Sequence, residues 1–273
     1  PAGTAVSCAV SGGPDSMALM LLAHAHGLIV TAIHVDHGLR TESASDIDVI
    51  DPVAESLGIS VIVHTVQVEH GPNLEARARA ARYGVMPDDV MTGHTADDQA
   101  ETVLINLLRG AGAQGLGAMR PGFSRPLLAL RRSDTHAVCA AAGIATITDS
   151  TNTDPKFQRN RVRNELLPLM TEISLRDPVP LLVRSADVLR DDNDLLEELA
   201  QNIDPTDAVA LAAAPAPLAR RALRRWLSDP YPPDLATLER IMAVARGETL
   251  ACDIGENREI RRSKQRLILQ LLG

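Results

Sequence analysis

Apolar positions along the first hundred residues come in short β-branched runs separated by stretches of helical period. Ala5 to Val10 reads as a buried strand and Met17 to Ala25 as a helix. Leu28 to Asp36 is a second strand, and Ser45 to Leu57 a helix kinked or interrupted at Pro52. Ile59 to Val66 is a third strand, Leu74 to Tyr83 a basic amphipathic helix, and Val90 to Thr92 a short strand. This alternation predicts βαβ units on a parallel sheet. Helices follow from Asp97 and from Ser133 to Ala142. Beyond Pro168 the alternation stops. Leu181 to Gln201, Leu218 to Leu227 and Leu235 to Ala245 read as helices, and Thr249 to Leu271 as short strands. The pattern predicts an α/β domain over residues 1–165, a linker over about 166–177 and a smaller, mostly helical domain over 178–273.

Composition narrows this picture. Aromatics are 2% of the chain, so its cores must be built from Ala, Val, Leu and Ile. Cys8, Cys139 and Cys252 form no CxxC pair, which points to a reducing compartment and a cytoplasmic protein. No basic leader with an apolar stretch opens the chain, and no run of eighteen apolar residues occurs, so no membrane partner is expected. The chain opens at Pro1, and a preceding segment is expected.

The net charge of −8 argues mildly against nucleic acid, but it is unevenly spread. Residues 1–100 hold 4 Lys and Arg against 13 Asp and Glu, whereas residues 101–165 hold 9 against 5. Arg220, Arg221, Arg224 and Arg225 form a further basic cluster on one side of a helix. A polyanion can lie along such a face. The plainer alternative is a solvated helix face, or pairing with the acidic stretch Asp191 to Glu198.

Three stretches carry chemistry. Ser11-Gly12-Gly13-Pro14-Asp15-Ser16 joins the first strand to the first helix. Its glycines allow close approach, its proline suits a first helical position, and the helix start offers N–H groups to a phosphate. The plain alternative is a Gly-rich turn with a polar cap. In Thr92 to Gly110, His94, Asp97, Asp98 and Glu101 fall on one helical face. They suit Mg²⁺ beside a phosphate site, or merely a charged first helical turn. Asp36 and Gly93 also follow strands, so all these positions can converge at one sheet edge. Arg159, Asn160, Arg161 and Arg163 form a third group, suited to phosphate or carboxylate, or to the start of a helix with surface arginines.

Taken in order, SGGPDS, HVDHGLR, LEARARAARY, TGHTADDQAET, LLRG, RPLL and NTDPKFQRNRVR resemble the tRNA(Ile)-lysidine synthases, a branch of the PP-loop ATP pyrophosphatases. The resemblance covers residues 5–165 in detail and the rest loosely. The chain is shorter than that family's pattern between Tyr83 and Val90 and around Pro121 to Arg125, and too short for the extra C-terminal domain of some members. The resemblance implies a PP-loop α/β domain followed by a small helical domain. It implies ATP-dependent joining of free L-lysine to C2 of the wobble cytidine of isoleucine tRNA with a CAU anticodon, through an adenylated base.

On this resemblance ATP is held by Ser11, Gly12, Gly13, Pro14, Asp15, Ser16, Asp36, Gly93 and His94. Mg²⁺ is held by Asp15, Asp97 and Asp98; Asp15, Asp97 and Arg109 are catalytic. Arg109, Arg159, Asn160, Arg161 and Arg163 grip AMP, the lysine carboxylate or the tRNA backbone, and the basic cluster Arg220, Arg221, Arg224 and Arg225 is expected, from its charge, to extend the tRNA contact so that tRNA lies across both domains. A homodimer is left open. Two rivals remain: another PP-loop enzyme, such as a tRNA thiolase or an amide-forming synthetase, and a non-catalytic tRNA-binding protein. Thiolases of this kind show paired cysteines, and this chain has none. An amide-forming synthetase would need an ammonia-producing partner, of which the sequence shows no sign.

Overall fold

The computed structural model describes residues 2–36, 46–67, 74–147 and 154–272, except the side chains of 74–76. His37 to Arg40, part of the HVDHGLR motif, and Asp149 to Thr153 lie outside the described residues. The chain divides into two compact units, Pro1–Asp187 and Val188–Gly273.

In the first unit, β1 (Ala5–Ala9), β2 (Ile29–Asp36) and β3 (Ser60–Thr65) form a parallel sheet in the order β1-β2-β3. The expected strand at Val90 to Thr92 shortens to a single parallel bridge, Cys8 to Met91, because two backbone bonds to β1 are all it makes there. Even so, the bridge sets Gly93 and His94 beside the end of β1. On one face of the sheet lie α1 (Pro14–Ala25), α2 (Ile47–Ser56) and α6 (Arg132–Ala141). Their core joins Val6, Cys8, Met17, Met20, Ala32, Ile50 and Cys139. These side chains are small or aliphatic, as the low aromatic content requires. On the other face, Ile33, Val35, Val66 and Val90 pack with Ala81, Val85 and Met86, at or just past the end of α3 (Leu74–Gly84).

α2 runs through Pro52 without the interruption that the sequence reading had set beside a kink. Pro52 is exposed in the second turn, so the carbonyl it leaves without an intrahelical donor sits where water can reach it.

α4 (Ala96–Leu108), the short α5 (Ala113–Leu116) and α7 (Gln158–Arg161) complete the part of this unit nearest the bridge. α7 passes directly into a π-helical turn, Val162–Leu166, and then α8 (Leu167–Ser174). Ala96, Ala100, Leu104, Val162, Leu167 and Val179 form the core between α4 and this segment. The sequence reading had offered a helix start here only as an alternative. α9 (Val179–Ala200) carries the chain into the second unit, so the two units divide inside a continuous helix. The linker had been expected at 166–177.

The second unit holds α10 (Ala208–Ala213), α11 (Ala216–Trp226) and α12 (Leu235–Arg246). They pack on an antiparallel sheet of β4 (Ala251–Gly255), β5 (Arg258–Ser263) and β6 (Arg266–Leu271). Leu211, Leu223, Ile241, Val244, Ile260 and Leu267 fill its core. α10 was missed by the sequence reading because AVALAA is apolar throughout and shows no period; Asp207, which accepts from Val209 N and Ala210 N, starts it. No helix among the described residues is long and apolar enough to cross a membrane.

Candidate active site

The turn from β1 into α1 is built as the sequence suggested. Gly12 has φ +77°, a conformation that favours glycine, and Gly13 leads into Pro14 at the first position of α1. The Ser16 hydroxyl donates to Gly13 O at 2.9 Å and accepts from Ser11 N at 3.1 Å, drawing the loop closed around the helix start. Gly93 presses against this loop. A Cβ there would lie 2.5 Å from Asp15 O, so the bridge strand can approach only with glycine at 93.

The loop opens on a cavity of about 530 Å³. Ser11, Gly13, Pro14, Asp15 and Ser16 form one wall. Thr92, Gly93, His94 and Asp98 form another, with His34 from β2, Tyr83 and Met86 from the α3 side, and Arg82, Arg132, His136 and Arg163 completing it.

Beside the loop, Asp15, Asp97, Asp98 and Glu101 interlock with Arg131, Arg132, Arg159 and Arg163. Arg132 Nη2 donates to Asp98 Oδ1 at 3.0 Å, Arg132 also reaches Glu101 at 3.3 Å, and its Nε stands 3.5 Å from Asp15 Oδ2. Arg163 Nε donates to Glu101 Oε1 at 2.7 Å. Arg159 lies 3.7 Å from Glu101 and 3.8 Å from Asp98. Arg131 forks onto both oxygens of Asp97 at 3.0 Å each and also pairs with Asp177, while Arg132 N donates to Asp97 Oδ2 at 2.8 Å. Glu101 is fully buried, so its charge depends wholly on these partners. The π-helical turn begins one residue before Arg163, at the point where that side chain turns back onto Glu101.

The protonation pattern follows from the geometry. Burial pushes the Asp15 carboxyl above its ordinary value, opposed by the Thr135 hydroxyl and Arg132. Burial would do the same to Asp98, but Arg132 and the N–H and hydroxyl of Thr95 hold it below the usual range. Asp97 is also held low, since the donors of Arg131 and Arg132 outweigh its burial. Burial lowers His94 to about 4, so its ring is neutral at neutral pH. Thr92 Oγ1 gives its hydrogen to Ser124 O, so the 2.8 Å contact with His94 Nδ1 takes its hydrogen from the imidazole.

Comparison with known proteins shows the family. Residues 2–170 match the PP-loop domain family, and residues 207–268 match the TilS substrate binding domain family. A protein of Mycolicibacterium paratuberculosis called tRNA(Ile)-lysidine synthase is 43% identical over 234 residues, covering 80% of this chain and 73% of its own. Proteins of the same name from Nocardia farcinica and Thermobifida fusca are each 38% identical, covering 90% of this chain and 84% of theirs. The chain belongs to the tRNA(Ile)-lysidine synthase family. The U34-tRNA thiolase NcsA from Methanococcus maripaludis aligns with a TM-score of 0.55 at 16% identity, over 70% of this chain and 74% of that one. That likeness shows the fold alone.

For a lysidine synthase family member, the placement of the sequence-predicted residues is informative. Ser11, Gly13, Pro14, Asp15, Ser16, Gly93, His94, Asp98 and Arg163 line the cavity, while Gly12 shapes the turn from behind. Asp98 fulfils the plainer reading as part of the first turn of α4, where Oδ2 accepts from Thr95 N and Oγ1, while Oδ1 accepts from Arg132. Asp97 leans away to Arg131 and is not part of the cavity wall, and Asp36 ends β2 outside it, its carbonyl accepting from Val66 N. Among the described residues no group of three His, Cys, Asp or Glu side chains is arranged to hold a metal ion by itself.

Arg109 is exposed at the far end of α4, about 16 Å along the helix axis from Asp98. That removes it from the cavity wall. Asn160 is buried and donates to Asp154 O, and Arg161 pairs on the surface with Glu165. Arg131, Arg132 and Thr135 were missed by the sequence reading. The only available signal was the paired arginine just before the helix expected from Ser133.

Proposed function

We propose that this chain joins free lysine to C2 of the wobble cytidine in the CAU anticodon of isoleucine tRNA, splitting ATP to AMP and pyrophosphate. The observation that carries this reading is the SGGPDS loop opening on the same cavity as a cluster holding both carboxylates and guanidiniums. Ser11, Gly13 and Ser16 hold the pyrophosphate end of ATP through loop amides and hydroxyls, and Pro14 fixes the helix start beside them. The cytidine O2 attacks the α-phosphorus and pyrophosphate departs; the lysine amine then attacks C2, and AMP leaves with the oxygen. Each step builds negative charge on phosphate oxygens, which preorganised cations and donors stabilise best. A free amino acid needs a carboxylate for its ammonium and a guanidinium for its carboxylate. Asp98 supplies the first at the cavity wall and Arg163 the second, with Glu101 buried behind them holding Arg163 in place.

Mg²⁺ fits at Asp15 rather than at Asp97. Asp15 faces the cavity and has only one short partner, Thr135, while both oxygens of Asp97 are occupied. A carboxylate beside substrate phosphates is the usual protein contribution to magnesium binding. When bound, the ion supplies charge neutralisation on the triphosphate.

The cysteines speak against the thiolase reading: Cys8 and Cys139 are buried, and all three are free. With those free thiols the cytoplasm is the compartment we assign. The test is mass analysis of nucleosides from a CAU-anticodon transcript incubated with the protein, ATP, Mg²⁺ and lysine. A cytidine heavier by lysine less water is expected. An unmodified or sulfur-containing nucleoside would overturn the reading.

The second unit contributes tRNA contacts through α11. Its four candidate arginines are not alike. Arg220 pairs with Glu239, and Arg221 with Glu197 and Asn193 on the acidic helix. Arg224 and Arg225 are exposed; Arg225 donates to Ala200 O, and Arg224 has no partner among the described residues. Replacing Arg224 and Arg225 together by Ala is expected to weaken tRNA binding and flatten its salt dependence by roughly one unit of slope per lost phosphate contact. Arg220→Ala with Arg221→Ala is expected to lower the melting temperature instead. Filter binding at several salt concentrations checks both, and an unchanged slope in the first variant rules α11 out as an RNA surface.

A further inference from the structure

His34 has no role in the chemistry set out above, yet its surroundings are specific. It is 4% exposed on β2. Ile33 and Val35 turn to the opposite face of the sheet, while Ala32 packs in the core with α1. His34 therefore shares the face of Ala32, at the end of the sheet where the loop begins. Its Nδ1 lies 2.9 Å from Val10 O, the carbonyl just before Ser11. A carbonyl can only accept, so Nδ1 carries the hydrogen. In the neutral ring Nε2 is then a lone-pair acceptor. It is buried without a partner among the described residues, and the side chain lines the cavity shared with Ser11, Asp15 and Ser16.

We propose that His34 Nε2 accepts a hydrogen bond from the nucleoside of ATP, and so fixes the orientation of the nucleotide. The inference rests on the reading that this cavity holds ATP. A buried acceptor without a donor is rare and costly, so a ligand that supplies one is favoured. The triphosphate at neutral pH offers acceptors only. The donors of ATP are its two ribose hydroxyls and its 6-amino group. Phosphates at the helix start and a nucleoside donor at His34 place the long axis of ATP from α1 toward β2, beyond the C-terminal ends of the strands.

The experiment is titration calorimetry on the full chain, native and His34→Asn. Asn keeps an N–H for Val10 O and has nothing where Nε2 was. The ligands are ATP, 2′-deoxy-ATP, 3′-deoxy-ATP, purine riboside triphosphate and inorganic tripolyphosphate. His34→Asn is expected to bind ATP about tenfold more weakly and tripolyphosphate unchanged. One of the three analogues is expected to bind the native protein about tenfold more weakly than ATP, and to bind His34→Asn as well as ATP does. That analogue names the donor. His34→Gln, which returns an acceptor near the Nε2 position, recovers part of the loss. The inference is overturned if every analogue shows the same penalty in both proteins. It is also overturned if tripolyphosphate weakens in step with ATP, which would mean a protonated ring on a phosphate. His34→Phe is read in the same way if His34→Asn does not fold. Failure of the native protein to bind ATP overturns the site reading itself, and this inference with it.

Discussion

Asp15→Ala is expected to cut formation of AMP and pyrophosphate by about a thousandfold or more while leaving the melting temperature unchanged or slightly raised. The kinetic part follows from position. Asp15 is a carboxylate in the first turn of the helix that begins at the phosphate loop, facing the cavity. Losing one main electrostatic contributor costs a factor of about a hundred to a thousand, and Asp15 would serve both metal and substrate. The stability part follows from protonation. The folded protein raises the pKa of this carboxyl, chiefly through burial. A carboxylate with a raised folded pKa is a cost to the fold at any pH above that value. The cost disappears as pH falls below the unfolded value of about 3.9. At neutral pH its removal therefore does not weaken the fold, and Thr135 keeps Arg132 O as an acceptor. Pyrophosphate release and calorimetry on one preparation check both halves. Normal turnover, or a collapse of stability together with turnover, would sink the assignment.

Arg132→Ala is expected to lower both turnover and stability, the first by about a hundredfold or more. Arg132 is the cation shared by Asp15, Asp98 and Glu101, and its own charge is held firmly by them. Without it Glu101, fully buried, keeps only Arg163 and Arg159. Removing one partner from a buried ionic network typically costs about 3–5 kcal/mol, because a charge is left uncompensated. The pH signature has a definite sign. Arg132 pulls down the pKa of Asp15 and Asp98, so both rise without it, and Asp15 starts from a value already raised. If ionised Asp15 is needed for turnover, the acid limb of the pH–rate profile moves to higher pH in the variant. Arg132→Lys restores the charge but not the three-way fork, and should recover stability better than rate. An acid limb that stays in place in Arg132→Ala would show that Arg132 does not govern Asp15.

Much of this site was legible in the sequence. SGGPDS could be read as a strand-to-helix turn because a turn's chemistry is local: glycine for a positive φ, proline for a first helical position, a polar residue to tie the loop. The parallel sheet followed from strands alternating with helices, and the topology alone brought Gly93 and His94 to the end of β1. The shared face of Asp98 and Glu101 followed from helical spacing.

Partnership between distant segments was not legible. Arg131 and Arg132 lie more than thirty residues from the carboxylates they grip, and a charged pair before a helix looks the same in sequence whether it meets solvent or a buried glutamate. Helical spacing put Asp97 on the same face as Asp98, but Arg131 and the backbone of Arg132 drew it out of the cavity. Arg109 closes the same conspicuous motif, yet a rise of 1.5 Å per residue carries it to the far end of α4. The sequence by itself determined most of the elements, their order and the chemistry each could offer, because those depend on residues near one another in the chain. Only the tertiary structure decided which charges were spent on each other and which were left facing a substrate, because that depends on distance in space and on burial, which no local pattern encodes.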